Sequence, residues 1–332
     1  MIATVRFVVY GAGAIGGVLG GRLFQHGHDV VLVARGAHLD AIRAHGLTLE
    51  SPDDRVTLDV DAVGAPAEIA FRPDDVVVLC MKSQDTVPAL DALVATAPSS
   101  IPVVCAQNGV ENERAALRRF ERVYGMCVMC PATHLDPGIV QASSSPVTGI
   151  MDLGRWPSGR DAIAVEIAAA LSASTFASEP REDIARWKWG KLLMNLGNAV
   201  EAVYRRDACA GELAAAARRE GVECLRAAGV DFVPPDEDAA RRGELLTSRP
   251  IGDRPRSGGS TWQSMTRSAG VVETDFLTGE IVLLGRLAGF PTPVNAWLQD
   301  VANAAARSHA APGSRSADEA FAALTITAPA VD

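Results

Sequence analysis

The chain has 332 residues, 48% of them hydrophobic and 21% charged, with six cysteines and a formal net charge of −9. The length exceeds what one core usually supports and points to two domains; the composition is that of a globular protein, and the negative charge argues against a nucleic-acid or anionic-membrane partner. No apolar run reaches the length of a membrane span and the N-terminus leads directly into a core strand, so a cytoplasmic protein is expected.

Val8-Val9-Tyr10 predicts a buried strand, and the run Gly11, Ala12, Gly13, Ala14, Ile15, Gly16 leads from it into a helix. Gly11 permits the tight turn, Gly13 lets a dinucleotide pyrophosphate approach the backbone, and Gly16 lets helix and strand pack closely. The helix N-terminus adds unpaired N–H groups and positive dipole. Between a strand and a helix at the start of a domain, this spacing reads as a cofactor loop. The next strand, 29–34, ends at Arg35, where an NAD-selective unit usually carries Asp or Glu for the ribose 2′-hydroxyl. A guanidinium instead makes charge-assisted bonds to a 2′-phosphate, so Arg35 predicts NADPH. Asp29 opens that strand and is poorly placed as a ribose ligand.

A short helix (38–45) and an antiparallel hairpin (47–50, 56–60) come next. The runs 75–80 and 101–105 are continuously apolar, as central parallel strands are, with a helix at 85–95 between them. Strands are expected at 123–129, 138–141 and 147–153, and a helix at 160–172. From about Glu182 to Ser308 the periodicity is helical with no convincing strand, and the Pro-, Gly-, Asp- and Arg-rich stretch 234–260 interrupts it. The expected fold is α/β, an N-terminal Rossmann-like doubly wound sheet (1–182) followed by an all-α C-terminal domain (183–308) and a loosely held tail (309–332) with a short helix near 317–324. The cleft between the two domains is expected to hold the chemistry. Cys127 and Cys130 form a lone Cys-x-x-Cys with no second ligand pair, so buried thiols rather than a metal site are expected.

Two strand ends carry polar residues, Lys82 after one and Gln107-Asn108-Gly109 after the next. Ligands bind beyond the carboxyl ends of strands in open α/β sheets, so Lys82 is read as a cofactor or anion ligand and Asn108 as orienting ribose or carbonyl. The segment 184–198 is read as one helix opening the second domain. At about 100° per residue, Asn195 lies roughly 40° and Asn198 roughly 20° from Lys191, on opposite sides. A lysine among Leu192, Leu193, Met194 and Leu196 has its charged form destabilised, which suits proton donation. A second helix is expected from about 271 to 287 with Glu273 in its first turn, and Ser260-Thr261-Trp262-Gln263 just before it reads as a carboxylate-binding or helix-capping segment.

Together these pieces resemble the ketopantoate reductase (2-dehydropantoate 2-reductase) family, over nearly the whole chain up to about Ser308. The resemblance implies NADPH-dependent reduction of a 2-keto acid, ketopantoate to (R)-pantoate in pantothenate biosynthesis. It implies Lys191 as general acid, Glu273 holding that lysine and the substrate or ribose, and Asn108 binding substrate and cofactor. Arg35 and Lys82 would serve NADPH, and Asn195 the substrate. Two positions depart from the family pattern. Ala199 stands where the family shows a second Asn, with Asn198 adjacent; Thr261 stands at the carboxylate-binding serine, with Ser260 adjacent. The loop residues Arg249, Arg254 and Arg256 are candidates to recognise a second anionic group. A reductase of another 2-keto acid and a non-catalytic NADPH-binding sensor are the alternatives, and a homodimer stays open.

Overall fold

The computed structural model describes residues 5–252, 258–267 and 270–324. In chain order, β1 (Arg6–Tyr10), α1 (Ala14–Gln25), β2 (Asp29–Val33) and α2 (Gly36–His45) precede the hairpin β3 (Leu47–Glu50) and β4 (Arg55–Leu58). β5 (Asp61–Val63), β6 (Asp75–Leu79), α3 (Thr86–Val94), β7 (Pro102–Cys105), α4 (Glu111–Leu117) and β8 (Arg122–Met129) follow. Then come β9 (Ala132–Thr133), β10 (Ile139–Ala142), β11 (Ser144–Pro146), β12 (Gly149–Arg155), α5 (Ala162–Ala173) and β13 (Phe176–Ala177). After them run α6 (Ile184–Asn195), α7 (Gly197–Val203), α8 (Ala208–Ala227), α9 (Pro235–Arg242), β14 (Leu246–Ser248) and α10 (Ser260–Thr266). The last helices are α11 (Thr278–Ala288), α12 (Pro293–Arg307) and α13 (Asp318–Leu324). The chain divides into two compact units, Met1–Lys188 with Pro235–Arg256, and Trp189–Pro234 with Ser257–Asp332.

The first unit is built on an eight-stranded sheet of order β13-β12-β8-β7-β6-β1-β2-β5. Six of these strands, β8 to β5 in that order, are parallel, and β12 adds an antiparallel strand at β8. Strand order thus reverses between β1 and β6, the doubly wound arrangement. The apolar runs of β1, β6 and β7 are buried on both faces, with Val9, Val77, Leu79 and Val103 at 0–1% exposure. A smaller sheet, β4-β3-β10-β9, packs beside α1. His38, in α2, ties these parts together. Its Nε2 donates to the Ala12 carbonyl (2.7 Å) and its Nδ1 accepts from the Gly138 N–H (2.9 Å), so the ring is held neutral. Burial and the neighbouring His134 ring lower its pKa from 6.5 to about 4.

Of the stretch 234–260, expected to interrupt an all-α domain, the described residues 235–252 group with the first unit. β14 pairs antiparallel with β11, a strand the helical periodicity did not reveal because three residues carry no period. Arg241 makes a two-bond contact with Asp152 (2.7 and 2.8 Å), which also accepts from Arg181 and from the Glu179 N–H. Arg186 makes the same kind of paired contact with Glu237 (2.6 and 2.8 Å).

The second unit is helical. α8 packs against α7, α11 and α12, and Gly221 allows a close approach: a Cβ there would meet Leu196 at 2.7 Å and Leu193 at 3.0 Å. Three expectations are corrected. The helix 184–198 is two helices, interrupted at Leu196 beside the weak helix former Gly197, although Leu196 keeps helical dihedrals. Glu273 lies in a separate 3₁₀ turn, Glu273–Phe276, before α11, because Leu277 (φ −116°, ψ −90°) breaks the run. In the tail, the expected short helix is present as α13, and the described stretch before it, expected to be loosely held, is tied down: Arg315 makes a β-bridge to Tyr204 and Ala317 is buried. No described helix is long and apolar enough to cross a membrane.

Asp152 is 1% exposed and neutralised from two sides. Asp152→Ala should lower the urea stability of the first unit by about 3–5 kcal/mol, the cost of leaving buried charge uncompensated; an unchanged midpoint would contradict this. His38 gives a pH signature. Its folded pKa is depressed, so its contribution is full above pH 6.5 and is lost as pH falls toward about 4. In urea titrations, the wild type should lose stability through that window and His38→Leu should lose less of it.

Candidate active site

Register brings the sequence-derived cofactor residues to one edge of the parallel sheet. Tyr10 pairs with both Val33 and Leu79, and Leu79 with Cys105, so β1, β2, β6 and β7 end level. Gly11, Arg35, Lys82 and Asn108 therefore emerge together, around the point where strand order reverses.

At that point the glycines do separate jobs. Gly11 has φ +99°, and a Cβ on it would come within 2.8 Å of the Met81 nitrogen. A Cβ on Gly16 would lie 2.2 Å from the Gly11 carbonyl and 2.9 Å from the Cys80 Cβ. Gly13 differs: a Cβ there would meet nothing within 4 Å. The Gly11 and Ala12 N–H groups donate to the Val33 carbonyl at 3.0 and 3.1 Å and pin the loop to β2. α1 begins at Gly13 with no side-chain cap and no acidic residue in its first turn. Open space over the loop and an uncapped helix start fit a dinucleotide pyrophosphate.

Arg35 stands at the start of α2 with its side chain 85% exposed, 3.2 Å from Asp85. An exposed pair of this kind is weak, so a phosphate dianion competes readily for the guanidinium. Lys82 is partly buried on extended backbone just before a 3₁₀ turn, Ser83–Asp85. Asn108 is half-buried, and Gly109 after it adopts φ +80°, the conformation its position demands.

Under these loops lies a buried polar network that the sequence reading did not single out. Gln107 Nε2 donates to the Met81 carbonyl (2.9 Å) and to Thr86 Oγ1 (2.8 Å). Thr86 Oγ1 donates to Asn112 Oδ1 (2.7 Å), and Asn112 Nδ2 donates to Ser83 Oγ (3.1 Å) and the Asn108 carbonyl (3.0 Å). Lys188 Nζ donates to the Gln107 carbonyl (2.9 Å) and pairs with Glu113. Burial pushes the Glu113 carboxyl up, and the Lys188 ammonium opposes that shift. The only sequence hint was polarity out of place, a lysine between Trp187 and Trp189.

In the second unit, α6 bears Lys191, half-buried, and Asn195, 5% exposed with Nδ2 buried and without a hydrogen-bond partner among the described residues. Asn198 lies on α7, half-buried, beside the buried Ala199. α7 packs on α10, and Glu201 Oε2 accepts the Gly259 N–H (3.2 Å) at the start of the helix carrying Ser260 and Thr261. Thr261 is 3% and Glu273 5% exposed. Of the loop arginines, Arg249 is committed to both oxygens of Asp53 (2.7 and 3.0 Å) in the first unit, and Arg254 and Arg256 lie outside the described residues. Cys127 Sγ donates to the Trp187 carbonyl and Cys130 Sγ to the Thr148 carbonyl.

Residues 7–158 match the family described as ketopantoate reductase PanE/ApbA, and residues 183–306 match its C-terminal counterpart. The 2-dehydropantoate 2-reductase of Mesorhizobium japonicum is 31% identical, over 87% of this chain and 94% of its own. That of Pyrococcus horikoshii is 27% identical over 88% and 94%. A PanE/ApbA family ketopantoate reductase structure from Ralstonia eutropha superposes with TM-score 0.76 at 28% identity, covering 92% of this chain and 99% of that one. The ternary structure of D-mandelate dehydrogenase with NADH and anilino(oxo)acetate superposes with TM-score 0.77 at 21% identity and covers 92% and 99%, a likeness of fold alone. The chain belongs to the ketopantoate reductase family and is an NAD(P)-dependent oxidoreductase acting on CH–OH groups.

Proposed function

We propose that this protein reduces ketopantoate to (R)-pantoate with NADPH. The observation that bears most weight is the level strand edge, which groups an open glycine loop with the cations Arg35 and Lys82 and the amide Asn108. When bound, the nicotinamide supplies the hydride. Gly11 to Gly16 hold the pyrophosphate, and Arg35 with Lys82 take the 2′-phosphate. Asn108 orients the carbonyl and ribose. Lys191 donates the proton to the keto oxygen as charge develops there, with Glu273 holding the lysine. Asn195, whose buried amide donor has no partner among the described residues, and Asn198 bind the acid, and Thr261 with Ser260 supply hydroxyls to its carboxylate.

A second reading, the same chemistry on another 2-keto acid, is favoured by Ala199 and Thr261, which are both buried and both differ from the family pattern. A D-mandelate dehydrogenase that shares the fold is consistent with this second reading.

Steady-state assays of ketopantoate against other branched and dicarboxylic 2-keto acids, in the wild type and Ala199→Asn, test the substrate. Ketopantoate should lead in the wild type; another acid ahead of it in kcat/KM by more than about tenfold, roughly 1.4 kcal/mol of transition-state discrimination, overturns the named substrate. In the same assays NADPH should be preferred over NADH by at least about tenfold and Arg35→Asp should abolish the preference. Lys191→Ala should lower kcat by about 10²- to 10⁴-fold, the range for a positioned general acid, with NADPH affinity little changed. Near-normal turnover in that variant would remove the lysine from the chemistry.

A further inference from the structure

The loops bearing Lys82 and Asn108 leave neighbouring strands, but their backbone pairing ends early. The last such bond beyond the strands, among the described residues, is from the Ala106 N–H to the Leu79 carbonyl (2.9 Å). Beyond it the two loops are joined by side chains. All four amide hydrogens of Gln107 and Asn112 are used, on the Met81 carbonyl, Thr86, Ser83 and the Asn108 carbonyl. The Thr86 hydroxyl sits between the two amides, accepting from one and donating to the other. Thr86 and Asn112 are 2% exposed and Gln107 and Ser83 4%, so bulk water does not compete for these bonds. The peptide after which Asn108 follows is held again by Lys188, itself 3% exposed and paired with a carboxylate that is fully buried. Packing alone would be served as well by apolar residues of the same volume, without the desolvation cost. Polar bonds of fixed length and direction instead set a distance between loops.

We propose that Thr86, Asn112 and Gln107 are positioning residues that hold the Lys82 loop and the Asn108 loop at one fixed spacing, with the Lys188–Glu113 pair fixing the Gln107 carbonyl. None of them touches the reactants in this scheme; they act through Lys82 and Asn108. The proposal rests on the reading that those two residues serve cofactor and substrate.

The test compares Thr86→Val, which keeps the shape and removes the hydroxyl, with Thr86→Ser, which restores it, in the full-length protein. Asn112→Ser, which removes two amide donors, is the second variant if Thr86→Val fails to fold. In the free protein, amide hydrogen exchange over 81–86 and 106–112 should accelerate about tenfold or more in Thr86→Val, while β1 and β2 stay protected. The NADPH dissociation constant should rise and kcat should fall about ten- to hundredfold, as expected for small displacements of positioning groups. Thr86→Ser should recover all three to within about threefold of the wild type. Wild-type exchange in Thr86→Val, acceleration spread evenly over the whole sheet, or a failure of Thr86→Ser to recover would each overturn the proposal. If the wild type does not reduce ketopantoate, the substrate reading fails, while exchange in the free protein still decides the positioning role.

Discussion

The constraint on which the rest depends is that β1 is paired on both sides by parallel strands that end level with it. Its register is set by five-residue parallel ladders on both sides, from Arg6 against Asp29 and Asp75 to Tyr10 against Val33 and Leu79. Once register is fixed, each following segment leaves the sheet at the same edge. The close glycine contacts are a consequence. Gly11 lies against the Met81 backbone and Gly16 against Gly11 because the β1 and β6 ends are neighbours. A side chain at either position would push the phosphate loop away from its own strand.

Two buried ion-pair systems in the first unit show different uses of charge. At Asp152, two guanidiniums from distant segments meet one carboxylate, and Arg181 also stacks on Trp187 at 4.2 Å. That cluster joins chain segments. At Glu113 the charge is matched one to one by Lys188, and one carboxylate oxygen has no hydrogen-bond partner among the described residues. Such an arrangement is costly and stabilises little; its value lies in directing the third partner, the Gln107 carbonyl.

What was legible in the sequence follows from the range of each interaction. The glycine loop, the apolar strands and the antiparallel hairpin are local patterns, and β3 pairs with β4 as expected. The strand-end residues Arg35, Lys82 and Asn108 could be placed because strand ends are local too, and they reach one edge as the doubly wound order requires. Glu273 was misplaced because a 3₁₀ turn and the first turn of an α-helix share the same short spacing. β14 was hidden because its partner β11 lies about a hundred residues earlier and neither strand exceeds three residues. Lys188 and Glu113 are 75 residues apart, and nothing local in a helix reading ENERAAL marks its second glutamate as the buried one.

The route of the chain through its two units has a consequence for synthesis. Arg241 follows Asp152 by 89 residues. A ribosome adding about 5–20 residues per second needs roughly 4–18 s to cover that gap. Until Arg181 is made the Asp152 carboxylate has neither guanidinium, and from then until Arg241 is made it has one, while the residues of α7 and α8 are being added. The gene thus interleaves the units. A fragment ending at Lys188 lacks β14, the partner of β11, and Arg241, the partner of Asp152; one beginning at Trp189 carries both without those partners.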